Sequence, residues 1–166
     1  MEKGINLSLT KSLAEFDALL DMAIEEVISK KLSVAQELDE ANLCKFQVGK
    51  YVQIENEDEE EDGDETPIFW IGYGWEENEK RESCLWMEFD AKTCPAKYWE
   101  KVYKLAGTSG KYYRKVDSEF AQVYMNNWIH FFLKDEYLGQ FYDENADINS
   151  QKKILTGFIN EVLEKL

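Results

Sequence analysis

Proline is almost missing from this chain, histidine occurs once and cysteine three times, and no apolar run approaches the ~20 residues that a membrane-spanning helix needs. Each scarcity excludes something. Three cysteines, Cys44, Cys84 and Cys94, are an odd count without framework spacing, which speaks against a disulfide-stapled secreted scaffold and for reduced thiols in a cytoplasm. The lone histidine, His130, lies between Ile129 and Phe131, where packing is a simpler role than that of a catalytic base. There is no G-x-S-x-G motif and no phosphate-cradling glycine loop. Gly72 and Gly74 fall inside a strand pattern, where a missing side chain lets a helix or an aromatic ring come close. The N-terminal apolar residues are interleaved with Glu15, Asp17, Asp21, Glu25 and Glu26, so neither a signal peptide nor an anchor is expected. Positive charge is also scarce: 19 Lys and Arg face 34 Asp and Glu, a formal net charge of −15. Such a far field repels phosphate backbones and attracts basic surfaces, so direct nucleic-acid binding is not expected and a basic partner is.

What the chain does contain is enough apolar material for a core. Its 166 residues are 44% hydrophobic and 14% aromatic, which suits one domain, 1–166, without staples. The centre of that domain is Pro67 to Asp90. In Pro67–Trp75 the alternation places Ile68 and Trp70 on one side and Phe69, Ile71, Tyr73 and Trp75 on the other. In Cys84–Asp90, Leu85, Met87 and Phe89 oppose Cys84, Trp86, Glu88 and Asp90. Strands apolar on both faces belong in the middle of a sheet, and the charged residues 76–82 between them read as a hairpin tip.

Ahead of this hairpin, Ser12 and Glu15 have capping-box spacing, and Phe16, Leu20, Ile24, Val27 and Ile28 recur at helical intervals over roughly 11–31. Ser33 is placed to cap a second helix, or a continuation, through Leu38 to Leu43. From Phe46 the period becomes two, with Phe46, Val48, Val52 and Ile54 on one face, so a first strand precedes the acidic loop 55–66 and the hairpin in an antiparallel meander. Beyond Asp90, Thr93 or Cys94 as cap, Pro95 in the first turn and Gly107 as stop frame a helix. A short basic strand over 111–116 follows. Two strand-like runs, 120–125 and 128–133, meet at Asn126-Asn127, which favours a hairpin turn over a bulge. A helical turn over 136–142 leads to an acidic loop. A final helix, capped at Asn149 or Ser150, carries Ile154, Leu155, Phe158, Ile159, Val162 and Leu163 along one stripe. The expected fold is α+β: an antiparallel sheet of five to six strands with the N-terminal and C-terminal helices packed on it.

Chemistry is harder to find than architecture. Cys44, Cys84, Cys94 and His130 lack the short spacing of a zinc site. Asp58, Glu60, Asp62 and Gly63 match the opening of an EF-hand loop, but Phe69 holds the position of its bidentate acid, and strands flank it. No metal and no cofactor is implied. One enzymatic alternative stands: Asp64 ahead of a strand, Asp90-Ala91-Lys92 at the end of the next and acids on an N-terminal helix follow an order compatible with metal-dependent nucleases of the PD-(D/E)XK type. That motif is short, and the acidic surface lacks the positive track that DNA needs. The preferred reading is a non-catalytic interaction protein that docks on a basic, nucleic-acid-handling enzyme or a toxin and inhibits it by mimicking nucleic-acid charge, in the manner of an anti-defence inhibitor or immunity protein. Its candidate contacts are Glu57, Asp58, Glu59, Glu60, Glu61 and Asp62, with Glu76, Glu77, Glu79, Asp143 and Glu144 as secondary clusters.

Overall fold

The computed structural model describes residues 4–5, 7, 13–36, 47–55, 67–75, 83–115, 127–143 and 145–166. In chain order these form α1 (Leu13–Glu25), β1 (Leu32–Gln36), β2 (Gln47–Ile54), β3 (Ile68–Trp75), β4 (Ser83–Asp90), α2 (Ala96–Ala106), β5 (Tyr113–Arg114), β6 (Trp128–Leu133), α3 (Asp135–Leu138) with a 3-10 turn at Gly139–Phe141, and α4 (Ile148–Glu164). The strands make one antiparallel sheet in the order β1-β2-β3-β4-β6-β5. The α+β expectation and the β2-β3-β4 meander are therefore met, with β3 and β4 in the interior of the sheet.

Strand alternation sends Ile71, Met87, Phe89 and Phe131 to one face, where they are fully buried under Phe16 and Leu20 of α1, Val102 of α2, and Phe158 and Val162 of α4. Every helix among the described residues contributes to this one core. The opposite face has a smaller apolar cluster of its own: Trp70, Cys84, Trp86 and Phe132. That two-sided burial is what the doubly apolar pattern of β3 and β4 requires.

Polar side chains fix the helices to the sheet and to each other. Asn160 Oδ1 of α4 accepts hydrogen bonds from the backbone N–H groups of Ile28 and Ser29 and from the Ser29 hydroxyl. Fully buried Gln151 acts as a piece of strand: its Oε1 accepts from Ile5 N–H at 2.9 Å, while its Nε2 donates to the carbonyls of Ile5 and Gln140.

Four boundaries differ from expectation. The first helix ends at Glu25, not near 31. Ile28, which the periodicity placed on its apolar face, is 91% exposed, because Asn160 captures the chain just beyond the helix. Leu32–Gln36 is a strand, with Leu32, Ser33 and Val34 pairing with Ile54, Gln53 and Val52, whereas the helix expected through Leu38 to Leu43 lies outside the described residues. Ser33 caps nothing, since its hydroxyl reaches Glu55 Oε1 at 2.5 Å; pairing with β2 outweighs a weak helical pattern. At α2 the N-cap is Pro95 with no side-chain cap bond, and the Thr93 hydroxyl turns back to the Asp90 carbonyl. For α4 the cap is Asp147, whose carboxylate accepts from Ser150 N–H and Oγ. The expected strand at 120–125 and its Asn126-Asn127 turn lie outside the described residues, apart from Asn127.

Candidate functional site

On the face away from the helices, register brings side chains of four strands into line. Tyr51 of β2 is opposite Trp70 of β3, Trp70 opposite Glu88 of β4, and Glu88 opposite His130 of β6. One step along, Asp90 is opposite Trp128. The carboxylates of β4 thus lie between Trp70 of β3 on one side and His130 and Trp128 of β6 on the other. His130 Nε2 lies 2.6 Å from Glu88 Oε1, and the His130 ring stacks on Phe132 with centroids 5.7 Å apart. His130 is partly buried, and its cross-strand partner is an acid. Alternation places Glu88 on the face of Cys84, Trp86 and Asp90, but only the pairing of β4 with β6 brings it to His130.

Toward the middle of the same face, Arg114, Phe132, Trp86 and Trp70 form a row. The Arg114 guanidinium lies 4.5 Å from the Phe132 ring centre, Phe132 is 6.3 Å from Trp86, and Trp86 is 4.8 Å from Trp70. The Trp70 indole runs over Gly49 of β2, where a Cβ would collide with it and with the Ile71 carbonyl oxygen. The close approach proposed for Gly72 and Gly74 is seen at Gly49, a strand glycine the pattern did not single out. The inner residues are shielded, Trp86 being 7% exposed, and the Trp86 indole N–H has no hydrogen-bond partner among the described residues.

The outer residues are open. Tyr51 is 38% exposed and Trp128 39%, with Glu88 and Asp90 half-buried between them. Burial pushes the Tyr51 hydroxyl pKa up, and the negative charges of Glu88 and Asp90 push it further. Both carboxylates therefore act on the space beside the Tyr51 ring.

Of the carboxylates expected to meet a partner, Asp143 lies within the described residues; Glu57, Asp58, Glu59, Glu60, Glu61, Asp62, Glu76, Glu77, Glu79 and Glu144 lie outside them. Their anchor points are nevertheless defined. The run 56–66 leaves and rejoins the sheet at Glu55 and Pro67, beside Asp90 and Trp128, whereas 76–82 joins Trp75 to Ser83 at the other end. Eight-residue strands separate the two ends by roughly 23 Å. Asp143 belongs with the second group, because Tyr142 donates its hydroxyl hydrogen to Tyr73 near that end.

The residues of the nuclease alternative are placed differently from what that reading needs. Asp64 lies outside the described residues. Asp90 ends β4 and its Oδ1 accepts from the Lys92 backbone N–H at 2.8 Å, so Asp90-Ala91-Lys92 is a turn with Lys92 exposed, not two neighbours on one strand face. Among the described residues no group of three or more His, Cys, Asp or Glu is arranged to hold a metal ion. Cys84 and Cys94 are buried, and burial raises the Cys94 pKa to about 11. No described helix is long and apolar enough to cross a membrane.

Sequence reasoning passed over Lys50. It shares a face with Val52 and Ile54, and from there its ammonium reaches Asp21 and, at 3.2 Å, Asp17 of α1. Both acids follow Leu and Phe positions of the helix stripe, and one turn separates them.

No family model, no curated protein and no solved structure matches the chain.

Proposed function

We propose that this chain is a non-catalytic acidic interaction protein that binds a basic, nucleic-acid-handling protein and inhibits it by offering carboxylates where the partner expects phosphates. One observation carries the reading: the negative charge is separate from the framework. Among the described residues 15 acidic side chains face 14 basic ones, a net −1, so −14 of the total −15 belongs to the segments outside them. Framework acids are largely spent on structure, as Lys50 with Asp17 and Asp21, Lys152 with Glu26 and Glu161 with the Lys111 and Tyr112 amides illustrate. The run Glu57–Asp62, by contrast, has no base in its own neighbourhood of sequence. Charge of this density steers a cationic partner and raises its association rate.

The test is association kinetics with the partner captured from the native host. Raising salt from about 50 to 500 mM, where the screening length falls from about 14 to 4 Å, should slow association by about tenfold or more. Replacing Glu57–Asp62 by Ser and Gln should reproduce much of that loss at low salt. A complex indifferent to both changes would rule out charge mimicry.

A further inference from the structure

We infer that the open band formed by Tyr51, Glu88, Asp90 and Trp128 receives an arginine side chain of the basic partner. The inference rests on the reading above and gives it a location. Tyr51 on β2 and Trp128 on β6, each more than a third exposed, stand on one sheet face about 14 Å apart by strand spacing, with Trp70 of β3 and then the carboxylates Glu88 and Asp90 of β4 between them. A guanidinium suits that combination better than any neutral group: it stacks flat on an aromatic ring while its N–H groups reach carboxylate oxygens. Glu88 Oε1 lies beside His130 and Asp90 Oδ1 accepts from the Lys92 amide, and a carboxylate accepts several hydrogen bonds. The rigid strands β2, β4 and β6 fix all four side chains before binding. The charge pattern also orients the visitor. The acidic run is anchored at this end of the sheet, through Glu55 and Pro67.

The experiment titrates the full-length, 15N-labelled protein at about 20 mM salt with a hexapeptide of alternating arginine and glycine, and with its lysine counterpart. Tryptophan indole N–H signals are followed, Trp128 being assigned by Trp128→Phe. The arginine peptide should move the Trp128 signal most and bind about fivefold tighter than the lysine peptide. Asp90→Asn, which keeps an oxygen for the Lys92 amide, should weaken binding about fivefold, as should Glu88→Gln and Tyr51→Leu. Glu15→Gln and Glu25→Gln, exposed acids on α1, should leave it within about twofold. If the control variants cost as much as the band variants, or the Trp128 signal stays still while the peptide binds, the band is not the seat and the wider reading survives. If neither peptide binds at all, both fall.

Discussion

Lys50 offers the sharpest test of how the sheet and α1 are held together. Its residue is 8% exposed on the helix-facing side of β2, whereas the Asp17 and Asp21 side chains that flank its ammonium are about half exposed. The pair is therefore asymmetric: losing the lysine leaves two carboxylates that water can solvate, but losing the carboxylates leaves an ammonium that it can barely reach. Lys50→Met, which fills the same space with apolar atoms, should change stability by less than about 1 kcal/mol, since a buried ion pair and a hydrophobic isostere often come out even. The double variant Asp17→Asn/Asp21→Asn strands the buried charge and should cost about 2 kcal/mol, below the usual penalty for a broken buried pair because amide oxygens still accept hydrogen bonds. For a chain of this size that lowers the thermal midpoint by about 4–8 °C. Each single Asn variant should cost less than half as much as the double, because one carboxylate remains. Urea unfolding followed by circular dichroism measures all four. Should Lys50→Met prove more damaging than the double variant, the assignment of the penalty to a stranded ammonium is wrong.

Gly49→Ala should destabilise by about 2 kcal/mol or more, since its Cβ meets the Ile71 carbonyl oxygen and the Trp70 ring, neither of which can withdraw cheaply; an unchanged urea midpoint refutes the close contact. Gln151→Leu removes the partners of one N–H and two carbonyls and should cost about 2–3 kcal/mol, with hydrogen exchange at the Ile5 amide rising before any other described amide; slow exchange there would show that Gln151 is not the tether. The Cys94 thiol, raised to about 11 by burial, should resist iodoacetamide at pH 8 until urea unfolds the chain, as mass spectrometry of the alkylated peptide would reveal. Asp147, whose carboxyl pKa is lowered by the Ser150 side-chain and backbone hydrogen bonds, favours the folded state above its unfolded pKa near 3.8. That advantage over Asp147→Ala should fade as pH falls through the lower folded value, and a gap unchanged down to pH 2 would contradict it.

Much of the framework was legible because its strongest elements carry unambiguous periods. The wide stripe of α4 and the doubly apolar β3 and β4 could satisfy their side chains in only one kind of layer arrangement. Two of the misread boundaries were decided by partners distant in sequence, while the caps of α2 and α4 turned on contacts three residues away. Asn160 closes α1 from 131 residues away, and β2 recruits Leu32–Gln36 as a strand through backbone bonds that leave no trace in side-chain periodicity. The candidate site was half legible. Glu88 and Asp90 were placed on the correct strand face, but their meeting with Tyr51, His130 and Trp128 depends on β2, β4 and β6 lying in that order and register, and the neighbour of β4 comes 38 residues later in the chain. Lys50 escaped because a single cation on an apolar face is visible in sequence while the two acids that accept it are not.

Separating charge from framework has a kinetic consequence for the proposed interaction. On that reading the acids of the run 56–66 act over a screening length, so they govern how often a basic partner arrives. The band on the sheet is different in kind. Tyr51 and Trp128 are fixed by strand register and act only at contact, so they govern how long the partner stays. A protein built this way can tolerate drift in the number of acids between Glu55 and Pro67 while depending on single residues at the band. On the proposed reading, then, neutralising the acidic run should appear mainly in the association rate and changing Tyr51 or Asp90 mainly in the dissociation rate, and the two effects should add where the run and the band act independently.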